Sequence, residues 1–161
     1  MASTTDLPEF ARALGRIPSG LFVVTTLDGE RPLGFVASLV QQFGFEPPTV
    51  AVAVGQDRDH LAAMRASGRF AVSVVDDASK QVMAPFFGKV PEGQTPFDVV
   101  AHRAGSNRCP VLEEALAWFE CEVSGEHETG DHVVVFGRVT DGRLAREGDP
   151  KVHLRKNGLS Y

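Results

Sequence analysis

The feature that most constrains the fold is a recurrence of short runs rich in β-branched and aromatic residues, punctuated by glycine and proline, with no regular alternation of strand and helix. Gly20-Leu-Phe-Val-Val-Thr-Thr-Leu27 is such a run, and it stops at Asp28-Gly29, a strong hairpin turn signal. A partner strand is expected to start near Arg31 and continue through Gly34–Val40. Glu46-Pro-Pro48 interrupts the pattern, because neither proline can donate to a sheet ladder, and Thr49–Val54 resumes it. Arg69–Val75 alternates with period two. Leu116–Ser124 and His132–Thr140 read as strands joined across Gly125–Asp131, with short strands expected near Val99–His102 and Val152–Arg155.

Helices fall between these runs and are short. One is expected from Asp6 as N-cap, with Pro8 in its first turn, to about Ile17-Pro18. A second spans Asp59–Ser67, capped by Asp59 and stopped by Gly68, and a third covers Ala78–Phe87. Residues 88–110 are turn-rich. About six strands with short inserted helices favour a mostly β, antiparallel barrel or sandwich over a doubly wound parallel sheet. With 161 residues, no internal repeat and no low-complexity linker, residues 1–161 are expected to form a single domain.

Composition removes several function classes. A net charge of −5 argues against a nucleic-acid surface, which needs clustered Lys and Arg, but leaves room for a local basic patch facing one small anion. The longest apolar stretches, Leu21–Leu27, Val50–Val54 and Val133–Phe136, fall far short of the ~20 residues of a membrane helix. The N-terminus has neither a basic head nor an apolar core, and the two cysteines, Cys109 and Cys121, do not make a disulfide framework. A cytoplasmic location is therefore expected.

Several familiar motifs fail on inspection. No Gly-x-Gly-x-x-Gly follows a strand. Gly125-Glu-His-Glu-Thr-Gly130 has Walker A spacing, but Asp131 and His132 stand where Lys and Ser/Thr are needed. His127 and His132 are five apart in a turn-forming segment and would not share a helical face, so no metal site is expected. A Cys–His nucleophile stays open, set against Cys121 as a buried strand residue.

In order along the chain, Pro18-Ser-Gly-Leu-Phe-Val-Val-Thr-Thr26, Gly34-Phe-Val-Ala-Ser-Leu-Val-Gln-Gln-Phe-Gly-Phe-Glu-Pro-Pro48, Ser67-Gly-Arg-Phe-Ala-Val-Ser-Val-Val75, Ala115-Leu-Ala-Trp-Phe-Glu-Cys121, Gly130-Asp-His132 and Arg155-Lys-Asn-Gly158…Tyr161 resemble the flavin reductase-like FMN-binding split-barrel family. The Ala37-Ser38 and Arg155-Lys156 versions look closest to the reductase-like domain of photosynthetic-bacterial flavodiiron proteins. The resemblance implies an antiparallel split β-barrel of Greek-key type that binds FMN, with FAD as an option. It further implies NAD(P)H as a transient co-substrate passing hydride to the flavin, a homodimer, and a partner oxygenase or other electron acceptor. Two other readings stand beside it: an FMN-binding electron-transfer module without NAD(P)H activity, and a split barrel that binds a different ligand.

The same resemblance nominates site residues. Residues 37–42 are expected to offer main-chain donors to the flavin ring edge, so Val36, Ala37, Ser38, Leu39, Val40, Gln41 and Gln42 form the expected cradle. Ser38 is the preferred side-chain contact, the alternative being an ordinary strand serine. Val36, Gln41, Gln42 and Gly44 stand where the family often carries hydroxyls. Arg58 is expected to face the phosphate, since guanidinium offers paired donors; otherwise it is a solvated surface arginine. His132, an ordinary turn histidine on its own, is implied as the catalytic group beside the flavin, contacting nicotinamide and tuning proton or charge balance. Trp118 is read as core, Phe86-Phe87 as stacking groups or core, and Lys156 and Tyr161 as lying near a terminus that could reach a partner subunit.

Overall fold

The computed structural model describes residues 7–160. Nine strands and three α-helices run in the order α1 (Glu9–Leu14), β1 (Phe22–Asp28), β2 (Arg31–Ala37), β3 (Val40–Phe45), β4 (Pro48–Gly55), α2 (Asp59–Ser67), β5 (Arg69–Val74), a 3-10 helix (Lys80–Phe87), α3 (Pro96–Val99), β6 (His102–Ala104), β7 (Pro110–Leu112), β8 (Ala117–Glu128) and β9 (His132–Leu144). Seven strands form one antiparallel sheet in the order β2-β1-β5-β8-β9-β4-β3, and β6 pairs with β7 outside it.

All seven strands contribute to one core. Val24, Ala37, Val40, Val52, Phe70, Cys121 and Val135, one from each strand, belong to a single cluster of buried side chains. The first and last strands of a flat sheet could not share a core, so the sheet is rolled into a barrel. Its two edges, β2 and β3, do not pair with each other; only Ser38-Leu39 joins them. The barrel is therefore split along that seam, as the expected fold class requires. Leu61 and Met64 of α2 enter the same core and plug one end. Gly68 closes α2 in the left-handed region at φ +67, its N–H bonding the Met64 carbonyl, which lets the chain turn directly into β5.

The far side carries a second layer. Val23 and Leu27 of β1 point outward under Val82, Val100, Val111 and Leu112 from the 3-10 helix and the β6–β7 pair. This explains why the interior of β1 is buried on both faces and reads as a continuous apolar run. No described helix is long and apolar enough to cross a membrane.

Several local expectations shift. The single strand expected over Gly34–Val40 breaks at Ser38, because the chain must cross the seam there and re-enter the sheet on the opposite edge. Pro48 opens β4, where its missing N–H meets only the turn closing the β3–β4 hairpin. Asp59 is the first residue of α2 rather than its cap, with Arg58 in the cap position. Residues 78–87 tighten into a 3-10 helix containing Pro85, and Val99 ends a short helix before β6 rather than starting a strand. Near Val152–Arg155 a single bridge, Ser19 to His153, replaces the expected strand. The α1 helix ends at Leu14, and the expected Asp6 cap lies outside the described residues.

Candidate functional site

The seam opens onto a cleft with two lobes. One, of about 830 Å³, is walled by Phe35, Val36, Ala37, Val54, Arg58 and Phe86, among others. The other, of about 680 Å³, is walled by Ile17, Leu39, Val40, Gln41, Phe43 and Arg155, among others. Ser38, Ala53, Asp131 and His132 line both, so the lobes meet at a waist built by these four residues.

Local folding fixes each of them. Ser38 and Leu39 fall between the β1–β2 and β3–β4 ladders, and the Leu39 carbonyl is anchored by the Ala53 N–H at 3.0 Å. Ser38 is 5% exposed, yet its hydroxyl has no hydrogen-bond partner. Burial of an unpaired hydroxyl costs free energy, on the order of 1–3 kcal/mol by protein substitution data. Across the waist, the tight turn between β8 and β9 places His132 opposite Gly55 in the β4–β9 register, and the Gln56 N–H bonds the Asp131 carbonyl at 3.0 Å. His132 Nδ1 lies 3.0 Å from the Asp131 carboxylate. That hydrogen bond, reinforced by charge when the imidazole is protonated, holds the Asp131 carboxyl below its ordinary pKa.

Arg58 sits where β4 turns into α2. Its N–H bonds the Gly55 carbonyl, and its stem packs so close to Gly55 that a Cβ there would lie 3.3 Å from Arg58 Cγ. The first turn of α2 has no side-chain cap, so Arg58 is joined by main-chain N–H groups at the positive end of the helix.

Seven of the expected cradle and phosphate residues thus surround the cleft: Val36, Ala37, Ser38 and Arg58 in the larger lobe, and Ser38, Leu39, Val40 and Gln41 in the smaller. Gln42 does not; it points away and bonds the Gly44 carbonyl at 3.1 Å. The strand alternation that brings Gln41 inward turns its neighbour outward. Phe86 and Phe87 line the larger lobe, with Phe86 edge-on to Phe97 at 5.5 Å, whereas Trp118 packs against the second layer under Arg103. Lys156 is exposed, and Tyr161 lies outside the described residues.

Cys109 and Cys121 are buried and free, and burial pushes both thiols up to about 12, so neither is a thiolate at neutral pH. No cluster able to hold a metal exists among the described residues. Arg155 is the lining residue that sequence reasoning overlooked; it appeared only inside the closing Arg155-Lys-Asn-Gly158 motif.

A barrel open at one seam, with a bipartite cleft over that seam, defines a split-barrel ligand-binding protein. The profile of the Flavin reductase like domain matches residues 14–158, and the chain belongs to that family. It is 38% identical over 155 residues to diflavin flavoprotein A 1 of Synechocystis sp., covering 95% of this chain and 27% of that protein; it thus spans about a quarter of that relative's length. Among solved structures it resembles nitrilotriacetate monooxygenase component B from Mycobacterium thermoresistibile, at 28% identity and a TM-score of 0.81 over 92% of this chain and 82% of the other. It also resembles the Streptomyces globisporus NADH:FAD oxidoreductase SgcE6, at 27% identity and a TM-score of 0.81 over 97% and 92%.

Proposed function

We propose that this chain binds FMN across the waist of the cleft and acts as an NAD(P)H-dependent flavin reductase. The observation that carries this reading is the buried, unpartnered Ser38 hydroxyl at the one place where both lobes meet. It is a polar atom that the fold leaves for a ligand, and a flavin ring edge, rich in hydrogen-bonding groups, suits it. Arg58 and the open first turn of α2 match a phosphate through fork geometry and helix polarity. The apolar wall formed by Val36, Ala37, Val54 and Phe86 suits the flat ring and excludes water from one face.

The flavin supplies the two-electron chemistry that no side chain here can perform, accepting hydride from reduced nicotinamide. The chain's own residues bind and orient. Asp131 holds the His132 ring through Nδ1, which fixes that ring's orientation at the waist. Two copies pair as a homodimer, a reading supported by Phe43 and Phe45, which stand 67% and 89% exposed on the unpaired edge of β3. The reduced flavin passes its electrons to an oxygenase or another acceptor, as suits a chain similar to a monooxygenase component.

Anaerobic mixing of the FMN-loaded protein with NADH or NADPH tests the reading. Bleaching of the yellow flavin absorbance with at least one nucleotide is expected, and a flavin that stays oxidised with both overturns the reductase assignment. Arg58→Ala should weaken FMN by about tenfold or more while leaving riboflavin unchanged; equal losses would remove its phosphate role.

A further inference from the structure

The cleft carries one strong cation in each lobe: Arg58 in the larger and Arg155 in the smaller, with no other Lys or Arg among the lining residues. If Arg58 faces the flavin phosphate, Arg155 has no established duty. Its Nε is buried and has no hydrogen-bond partner, and no carboxylate pairs with it among the described residues. A guanidinium shielded from water without an anion is costly. The only acidic residue lining that lobe, Asp131, is already engaged by His132.

The segment bearing Arg155 is held firmly in place. Ser19 and His153 exchange reciprocal main-chain bonds at 3.0 and 2.7 Å, and the Gly158 N–H bonds the Ala11 carbonyl at 2.8 Å. Gly158 presses against α1 so tightly that a Cβ there would lie 2.1 Å from Leu14 Cβ. The chain has thus fixed a cation in place and left it without a partner. Around it, Ile17, Pro18, Phe43 and Leu159 provide apolar surface, and the lobe runs without interruption to Ser38 and His132.

We infer that the smaller lobe is a separate subsite for the diphosphate and adenosine of a dinucleotide, with Arg155 as the residue that grips the diphosphate. A planar, always-charged fork suits paired phosphate oxygens, and the apolar surface suits a flat base. The lobe's opening at the waist lets the remaining half of such a ligand reach the larger lobe. This inference rests on the placement of flavin proposed above. The diphosphate can come from NAD(P)H or from the adenylate half of FAD.

The test uses ADP-ribose, which carries the diphosphate and adenosine but no flavin or nicotinamide, titrated calorimetrically against the full chain with and without FMN. Arg155→Gln should weaken ADP-ribose binding about ten- to hundredfold and leave adenosine and FMN unchanged. Arg155→Lys should restore part of the loss, which separates charge from misfolding. Unchanged ADP-ribose affinity in Arg155→Gln overturns the inference. So does an FMN loss as large as the ADP-ribose loss, since Arg155 would then serve the flavin phosphate. A fall in FAD affinity relative to FMN assigns the subsite to the flavin's adenylate, and a fall confined to NAD⁺ or NADP⁺ assigns it to the nicotinamide donor. A wild-type chain that binds ADP-ribose through Arg155 but no FMN would sink the flavin reading alone.

Discussion

The two sides of the barrel treat buried polar groups in opposite ways. On the doubly covered side, every buried hydroxyl or carboxylate has found a partner. Thr25 bonds the Pro110 carbonyl at 2.6 Å, Thr26 the Arg69 carbonyl at 2.9 Å, and Ser73 accepts the Leu112 N–H. Asp76 accepts Ser79 and both contacts from Arg146. Glu120, fully buried, accepts the Ser106 N–H and hydroxyl and the Asn107 N–H. On the seam side, Ser38 is buried with none, and Arg155 keeps a buried Nε unpaired. Folding satisfies the scaffold from within and leaves the cleft to be completed from outside. Among the described residues the contrast separates groups that hold the molecule together from groups that wait for a ligand.

The largest effect should come from breaking the satisfied side. Glu120→Ala strands three donors and opens a cavity beneath Gly105, where even a Cβ would lie 2.0 Å from the carboxylate. A loss on the order of 3–5 kcal/mol is expected in denaturant unfolding, and a loss below ~1 kcal/mol would show that this network matters little. Thr25→Val keeps the shape but orphans the Pro110 carbonyl, so about 1–2 kcal/mol should be lost. Flavin affinity should not move in that variant, because Thr25 faces away from the cleft.

A smaller effect is expected from pH. Burial lowers the His60 imidazole from its ordinary 6.5; the ring bonds the Gly34 carbonyl and lies tilted 4.8 Å from Phe35. The folded chain therefore resists a proton that the unfolded chain accepts. That stability is present above 6.5 and is lost as the pH falls from there through the lowered folded value. The window lies above that of Asp76, whose carboxyl is held down by Ser79 and then Arg146. Thermal unfolding between about pH 7 and about pH 5 should show the decline, and His60→Gln should flatten it; an unchanged slope would contradict the assignment.

Much of the barrel was legible because strand alternation and turn residues are local signals. Val50, Val52 and Val54 announce one buried face of β4, and Asp28-Gly29 announces its turn. The cradle at residues 36–41 and the positions of Arg58 and His132 came from motif resemblance, and these residues line the cleft. The break at Ser38 was not legible, since an unbroken apolar run gives no sign that the chain crosses from one sheet edge to the other. Gln42 could not be separated from Gln41 without the register that turns one inward and the other out. Arg155 escaped notice because its meaning depends on the close packing of Gly15 and Gly158 against each other's segments, far apart in sequence.

The central claim is that the fold leaves Ser38 unpaired for a flavin. FMN titration of the wild type and Ser38→Ala, each paired with ligand-free thermal unfolding, tests it most directly. The expected result is a flavin affinity about tenfold weaker in the variant, with unfolding unchanged or slightly later, because removing an unpartnered hydroxyl costs the empty fold nothing. Equal affinity in the two proteins, or a variant that binds FMN normally but melts early, would show that the hydroxyl serves the scaffold after all.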